Sequence, residues 1–127
     1  MLRVLLILGC LIAVSCSREI KNEGAQTVNV LFAGDLLLDR GVRERIEHVG
    51  IESLFDHSVD SVFETADYVI ANLECPATLI QEPINKKYIF RAEPEWLNSL
   101  YSHGITHLNL ANNHSMDQGR DGLVDTE

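Results

Sequence analysis

Positive charge is scarce in this sequence. Its 127 residues hold ten lysines and arginines against nineteen aspartates and glutamates, a formal net charge of −9. That balance argues against nucleic acid or an anionic membrane surface as a partner, because both reward basic patches. An anionic substrate would have to be held locally, by a metal ion or by backbone amides. Cysteine is also scarce, with Cys10, Cys16 and Cys75 the whole complement. No internal repeat or low-complexity tract is present, and the length allows one domain at most. No apolar run reaches the roughly 20 residues that a transmembrane helix needs.

What is present begins with a leader-like segment. Met1-Leu2-Arg3 precedes an uncharged, mostly apolar run over residues 4–14, and Ser15-Cys16-Ser17 follows. A positive start, a short apolar stretch and small residues after it describe a secretory signal peptide over residues 1–15. Ala13-Val14-Ser15-Cys16 resembles the bacterial lipobox, with Ala13 where leucine is usual. The resemblance implies that Cys16 is acylated, that it becomes the mature N-terminus, and that the membrane is reached through this lipid anchor. In a Gram-negative lipoprotein, Ser17 in the next position implies the outer membrane of the cell envelope. Residues 16–27 then read as the lipidated cysteine and a polar tether. With Cys10 removed and Cys16 lipidated, Cys75 has no disulfide partner, and the exported domain must be held by its core or by metal. Cys75 is either a nucleophile or a small buried residue, and the second role is the commoner one.

Strand and helix signals alternate through residues 28–127. Residues 28–33 are β-branched and apolar and end at Gly34-Asp35. Helical spacing runs over residues 39–49 and is closed by Gly50, and a second helix over 59–65 has Asp56 or Ser58 as its cap. Residues 68–73 form the second clear strand, which Pro76 cannot continue. Residues 87–91 suit a short strand, 94–101 a helix ended by Gly104, 106–111 a third strong strand, and a helix starts at Gln118 with Asp117 as its cap. This order predicts an α/β fold with mostly parallel strands and crossover helices. The chain stops a few residues into the last helix without a cap, so residues 28–127 are expected to be the N-terminal portion of a longer domain.

In parallel sheets functional groups gather at the carboxyl ends of strands. The three strand exits carry Asp35, then Asn72 and Glu74, then Asn112, Asn113, His114 and Asp117. Asp35, Glu74, Asn113 and His114 suit a hard or borderline divalent cation through carboxylate, amide and imidazole donors. His114 is a candidate ligand or proton donor, and Asn112 a candidate loop brace. Each residue also has an ordinary reading: Gly34-Asp35 as a turn, Asn72 and Glu74 as solvated strand ends, Asn112-Asn113 as left-handed loop formers. Their recurrence at three successive exits favours a site. His48 and His57 are expected to be exposed, His103 to sit at a helix C-terminus, and His107 to lie at the wrong end of the sheet.

The segments "FAGDLLLDRGV" (32–42), "ADYVIANLECPAT" (66–78), "YIFRAEPEWLNSL" (88–100) and "GITHLNLANNHSMDQGRDGLVDT" (104–126) resemble the capsule-synthesis CapA family. That family is associated with poly-γ-glutamate capsules and is a branch of the calcineurin-like metallophosphoesterase superfamily. The resemblance implies the N-terminal part of a metallophosphoesterase-like α/β sandwich holding one or two divalent metal ions. By position it implies that Asp35 and Asn113 bind metal, that Glu74 bridges two ions, and that His114 stabilises a transition state. Leu37 stands where phosphoesterases carry a histidine ligand, and Glu74 replaces their usual aspartate. The functions implied are a metal-dependent hydrolase acting on an anionic capsule polymer, or a non-catalytic component of a polymer synthesis and export assembly. The superfamily's later histidine ligands have no counterpart in these residues, so this chain alone is expected to bind metal poorly and to be inactive.

Overall fold

A computed structural model describes residues 26–127, so the leader, Cys16 and most of the tether lie outside the described residues. The elements in chain order are β1 (Val30–Leu36), α1 (Gly41–Val49), a 3-10 turn (Ile51–Leu54), α2 (His57–Phe63), β2 (Tyr68–Leu73), α3 (Trp96–Ser102), β3 (His107–Asn109) and α4 (Gly119–Thr126). The three strands form one sheet in the order β1-β2-β3, and both pairings are parallel. The expected parallel α/β arrangement with helical crossovers is therefore what the chain adopts.

The sheet has a dry face and an open one. Side chains alternate across a strand, and on β2 Val69, Ala71 and Leu73 are each 1% exposed while Tyr68 is 45% exposed. The dry face packs against Ile46 of α1, Phe63 of α2, and Trp96 and Leu100 of α3. Full burial of a leucine such as Leu73 or Leu100 stabilises by about 2 kcal/mol. On the open face Phe32 is 76% exposed and Val30 45%.

Local signals explain most element ends. Asp56 caps α2 by accepting from Ser58 N at 2.8 Å and Val59 N at 3.2 Å. Gly104 follows α3 with φ +91°, and a Cβ there would sit 3.2 Å from Phe63 Cβ. Both the left-handed backbone and the close approach favour glycine at that turn.

Three expectations are corrected. Residues 87–91 form no strand, because side chains take the backbone donors that a ladder would use: Phe90 N–H donates to Asp117 at 2.8 Å and Arg91 N–H to Asp39 at 2.8 Å. The third strand is shorter than residues 106–111. Asn109 turns its own side-chain oxygen onto Ala111 N, and Asn112 N bonds Leu110 O, so the ladder ends there. Asp117 does not cap the last helix, whose N-cap is Gln118 with no side-chain cap bond.

Candidate functional site at the carboxyl edge of the sheet

The site starts from an irregularity in β1, which runs on through Gly34 and Asp35 to Leu36. Phe32 pairs with Ile70, but Asp35 pairs with Asn72, so β1 spends three steps where β2 spends two. That extra residue is a β-bulge, and a bulge reverses which face the following side chains take. Regular alternation from Leu31 and Ala33 would send Asp35 toward the helices. The bulge puts it on the open face beside Asn72 and returns Leu36, partnered with Leu73, to the core.

Asn72 is the hub of what results. Its Nδ2 donates to Asp35 Oδ1 at 2.9 Å and also to Glu74 Oε2. Its Oδ1 accepts from Asn109 Nδ2 at 2.8 Å and Asn112 Nδ2 at 3.1 Å. All three strands thus contribute to one polar cluster, with two carboxylates facing a single amide nitrogen. Asn112 ties the third loop to the sheet by donating to Leu73 O at 2.8 Å, while its Oδ1 accepts from His114 N at 2.9 Å.

Beside the cluster lies a second constellation around His114. Its Nδ1 stands 2.6 Å from Asp117 Oδ2, and Asp117 is fully buried. Lys86 Nζ lies 3.2 Å from the same nitrogen, but the carboxylate is the closer partner, and an Nδ1–H directed at it leaves Nε2 as the acceptor nitrogen. Asp117 also accepts from Phe90 N at 2.8 Å and, through Oδ1, from Lys86 Nζ at 2.9 Å. Lys86 Nζ further donates to the carbonyl oxygen of Asn113 at 2.6 Å. The Phe90 ring packs on the imidazole, with centroids 4.3 Å apart. This is a histidine oriented by a buried carboxylate, the arrangement that suits an acid or base.

Asp35, Asn72, Glu74 and Asn112 therefore share one hydrogen-bonded network, and His114 joins it through its backbone. Asn113 is exposed, and its backbone carbonyl is what meets Lys86. Leu37, in the position where a ligand would complete the first motif, is packed against the core. Among the described residues, no group of three or more His, Cys, Asp or Glu side chains is placed to hold a metal ion. Asp117, Lys86 and Asn109 were missed as functional residues. The spacing His114 to Asp117, three residues apart, is the one sequence signal for the first; Lys86 lies 31 residues from Asp117 and had none.

The remaining candidates fall away on burial and position. Cys75 is 0% exposed, and burial pushes its thiol up to about 11, so it is a packing residue and not a nucleophile. His48 and His57 are exposed, and His107 opens β3 at its amino end. His103 caps α3 at its C-terminus, as expected, between the carboxylates of Asp60 (2.8 Å) and Glu52 (2.5 Å).

Known proteins resemble this chain over the same region. The family described as "Bacterial capsule synthesis protein PGA_cap" matches residues 29–127. "PGA biosynthesis protein CapA" of Bacillus subtilis (strain 168) is 32% identical over 110 residues, covering 85% of this chain and 29% of that protein. "Capsule biosynthesis protein CapA" of Bacillus anthracis is 31% identical over 111 residues, 84% of this chain and 27% of that protein. The chain spans less than a third of the length of these relatives. A match that takes in every strand of the sheet and every residue of the polar cluster makes this chain a member of the bacterial capsule synthesis PGA_cap family.

Proposed function

We propose that this chain supplies the first half of a metal-dependent, hydrolase-like site in an exported, lipid-anchored protein of capsule biosynthesis, acting on poly-γ-glutamate. The observation that carries the reading is the bulge that turns Asp35 onto the open face, where it and Glu74 converge on one side of Asn72. A surface strand has no folding reason to bring two carboxylates together, since like charges repel.

The donor set fits a hard divalent cation in kind: carboxylate oxygens of Asp35 and Glu74, with the exposed Asn113 amide as a third donor. A divalent ion held there supplies Lewis-acid polarisation and an activated water. The protein's own groups do the rest. His114 Nε2 gives or takes a proton at the scissile group, Asp117 holds the ring in the Nδ1–H tautomer, and Phe90 fixes its plane. Lys86 pairs with the buried Asp117 carboxylate and braces the loop through Asn113.

A second reading has its own support, because Leu37 is committed to the core and cannot complete the first motif. In that reading the same cluster is a structural part of a polymer synthesis and export assembly without catalysis. Metal-dependent release of glutamate oligomers by the protein at its relatives' full length, abolished by His114→Ala, supports hydrolysis. Unchanged polymer with capsule export intact in His114→Ala leaves the assembly reading. The anchor is tested separately. Incorporation of labelled palmitate that is lost in Cys16→Ser supports it, and equal labelling of both overturns it.

A further inference from the structure

Among the described residues most cations near the site are already committed. Arg43 pairs with Asp39 and Glu93, Arg91 with Glu93, and Lys86 with Asp117. Arg40 and Lys87 are exposed and enter none of the salt bridges of the described residues. Both lie over the same ring: Arg40 Cζ is 4.9 Å from the Tyr88 centroid and Lys87 Nζ is 5.0 Å from it. Arg40 Cζ is also 4.7 Å from the centroid of Phe90, the ring that packs on His114. The nearest acid in sequence, Asp39, is occupied by the N–H groups of Arg40, Arg43 and Arg91.

Arg40 is held there against its backbone preference. Its φ of 56° makes it the one non-glycine residue with positive φ among the described residues. Such conformations persist where the surroundings enforce them, and they cluster at functional sites. A guanidinium stacked on an aromatic face keeps its N–H edge pointing outward, ready for a carboxylate in bidentate geometry.

We propose that Arg40, Tyr88 and Lys87 form a binding strip for a polymer bearing repeated carboxylates, set beside His114 because Arg40 rests on the buried Phe90 ring that packs on the imidazole. The proposal deepens the reading above, resting on it only for what happens at His114, since retention on the strip needs no metal. It also answers the charge problem of an acidic chain with an anionic partner: two stacked cations grip neighbouring carboxylates while the remaining surface repels the polymer.

The test is fluorescence anisotropy of labelled poly-γ-glutamate with the purified chain, in EDTA and about 50 mM salt so that screening is modest. The variants are Arg40→Gly with Lys87→Gln, and Arg45→Gln as the control. Glycine accepts positive φ, so the double variant keeps its fold, which circular dichroism and the melting temperature verify. The expected result is about tenfold weaker binding in the double variant, the scale of two lost ion pairs with partly desolvated cations. Arg45→Gln stays within twofold, and unlabelled dextran, a neutral polymer, fails to compete. Equal affinity of parent and double variant, or an equal loss in Arg45→Gln, overturns the strip. Failure of metal-dependent hydrolysis with EDTA binding intact overturns the catalytic reading and leaves the strip standing.

Discussion

Replacing Asp117 with asparagine isolates the contact on which the His114 constellation depends. The amide oxygen of Asn at this position can still accept from Phe90 N and His114 Nδ1, which meet Oδ2 at 2.8 and 2.6 Å. The amide NH2 must then face Lys86 Nζ, where Oδ1 now stands at 2.9 Å. Two donors meet, and the half-buried ammonium loses its counter-charge. Breaking a buried pair by removing one partner costs about 3–5 kcal/mol. Lys86 retains 28% side-chain exposure and can recover some hydration, so the lower end, about 3 kcal/mol, applies to Asp117→Asn. In a domain of this size that lowers the melting temperature by roughly 12–20 °C. Urea unfolding of the parent, Asp117→Asn, Lys86→Met and the double variant closes a thermodynamic cycle. Lys86→Met alone strands a fully buried carboxylate and costs a similar amount, whereas the double variant costs far less than the sum. Additive losses, or a loss below about 1 kcal/mol in Asp117→Asn, would refute the idea that this ion pair is what seats the histidine.

The pH dependence of stability has two named limbs. Burial would lower the His103 pKa, but hydrogen bonds and charge from Glu52 and Asp60 outweigh it, and the net shift is upward. Its contribution is fully present below about pH 6.5, the unperturbed value, and is lost as pH rises through the higher folded value; His103→Gln should flatten that limb in urea titrations. The Arg91 hydrogen bond, with help from Arg43, holds Glu93 down at about 2. Its contribution is present above the ordinary glutamate range and is lost as pH falls toward that value, so Glu93→Gln should weaken the chain at neutral pH and flatten the acid limb. Calorimetric titration of the chain with divalent ions should give weak binding, because the described cluster offers two carboxylates; tight stoichiometric uptake of two ions would contradict this. Cys75 in the native chain should resist a thiol reagent at pH 8 and react fully in denaturant, and fast native labelling would show that its burial is wrong.

Much of the site's neighbourhood was readable from residue order. A parallel sheet with crossover helices followed from alternating strand and helix signals, and its carboxyl edge was where Asp35, Glu74 and His114 had to gather. A cap at Asp56 or Ser58 and the turn at Gly104 were legible because their causes are local: a short polar side chain with the amides that follow it, and one left-handed residue. Other features depend on partners far away in the chain. Residues 87–91 carry strand-like side chains, yet their amides are taken by Asp39 and Asp117, which come from elements on either side in sequence.

By itself, then, the sequence determined which residues lie near the carboxyl edge of the sheet, though not where each strand ends, because period-two and helical spacing are local properties of the chain. It also determined that any anionic partner must be held locally on an acidic chain, by a metal ion or by backbone amides. Only the tertiary structure decided which way those residues point. The bulge that turns Asp35 toward Asn72 is a matter of register between β1 and β2, and a shift of one residue reverses every side chain after it. Pairing of Lys86 with Asp117 likewise needs two loops brought together by the packed sheet, and the burial of Asp117 that gives the pair its strength exists only once that packing is complete.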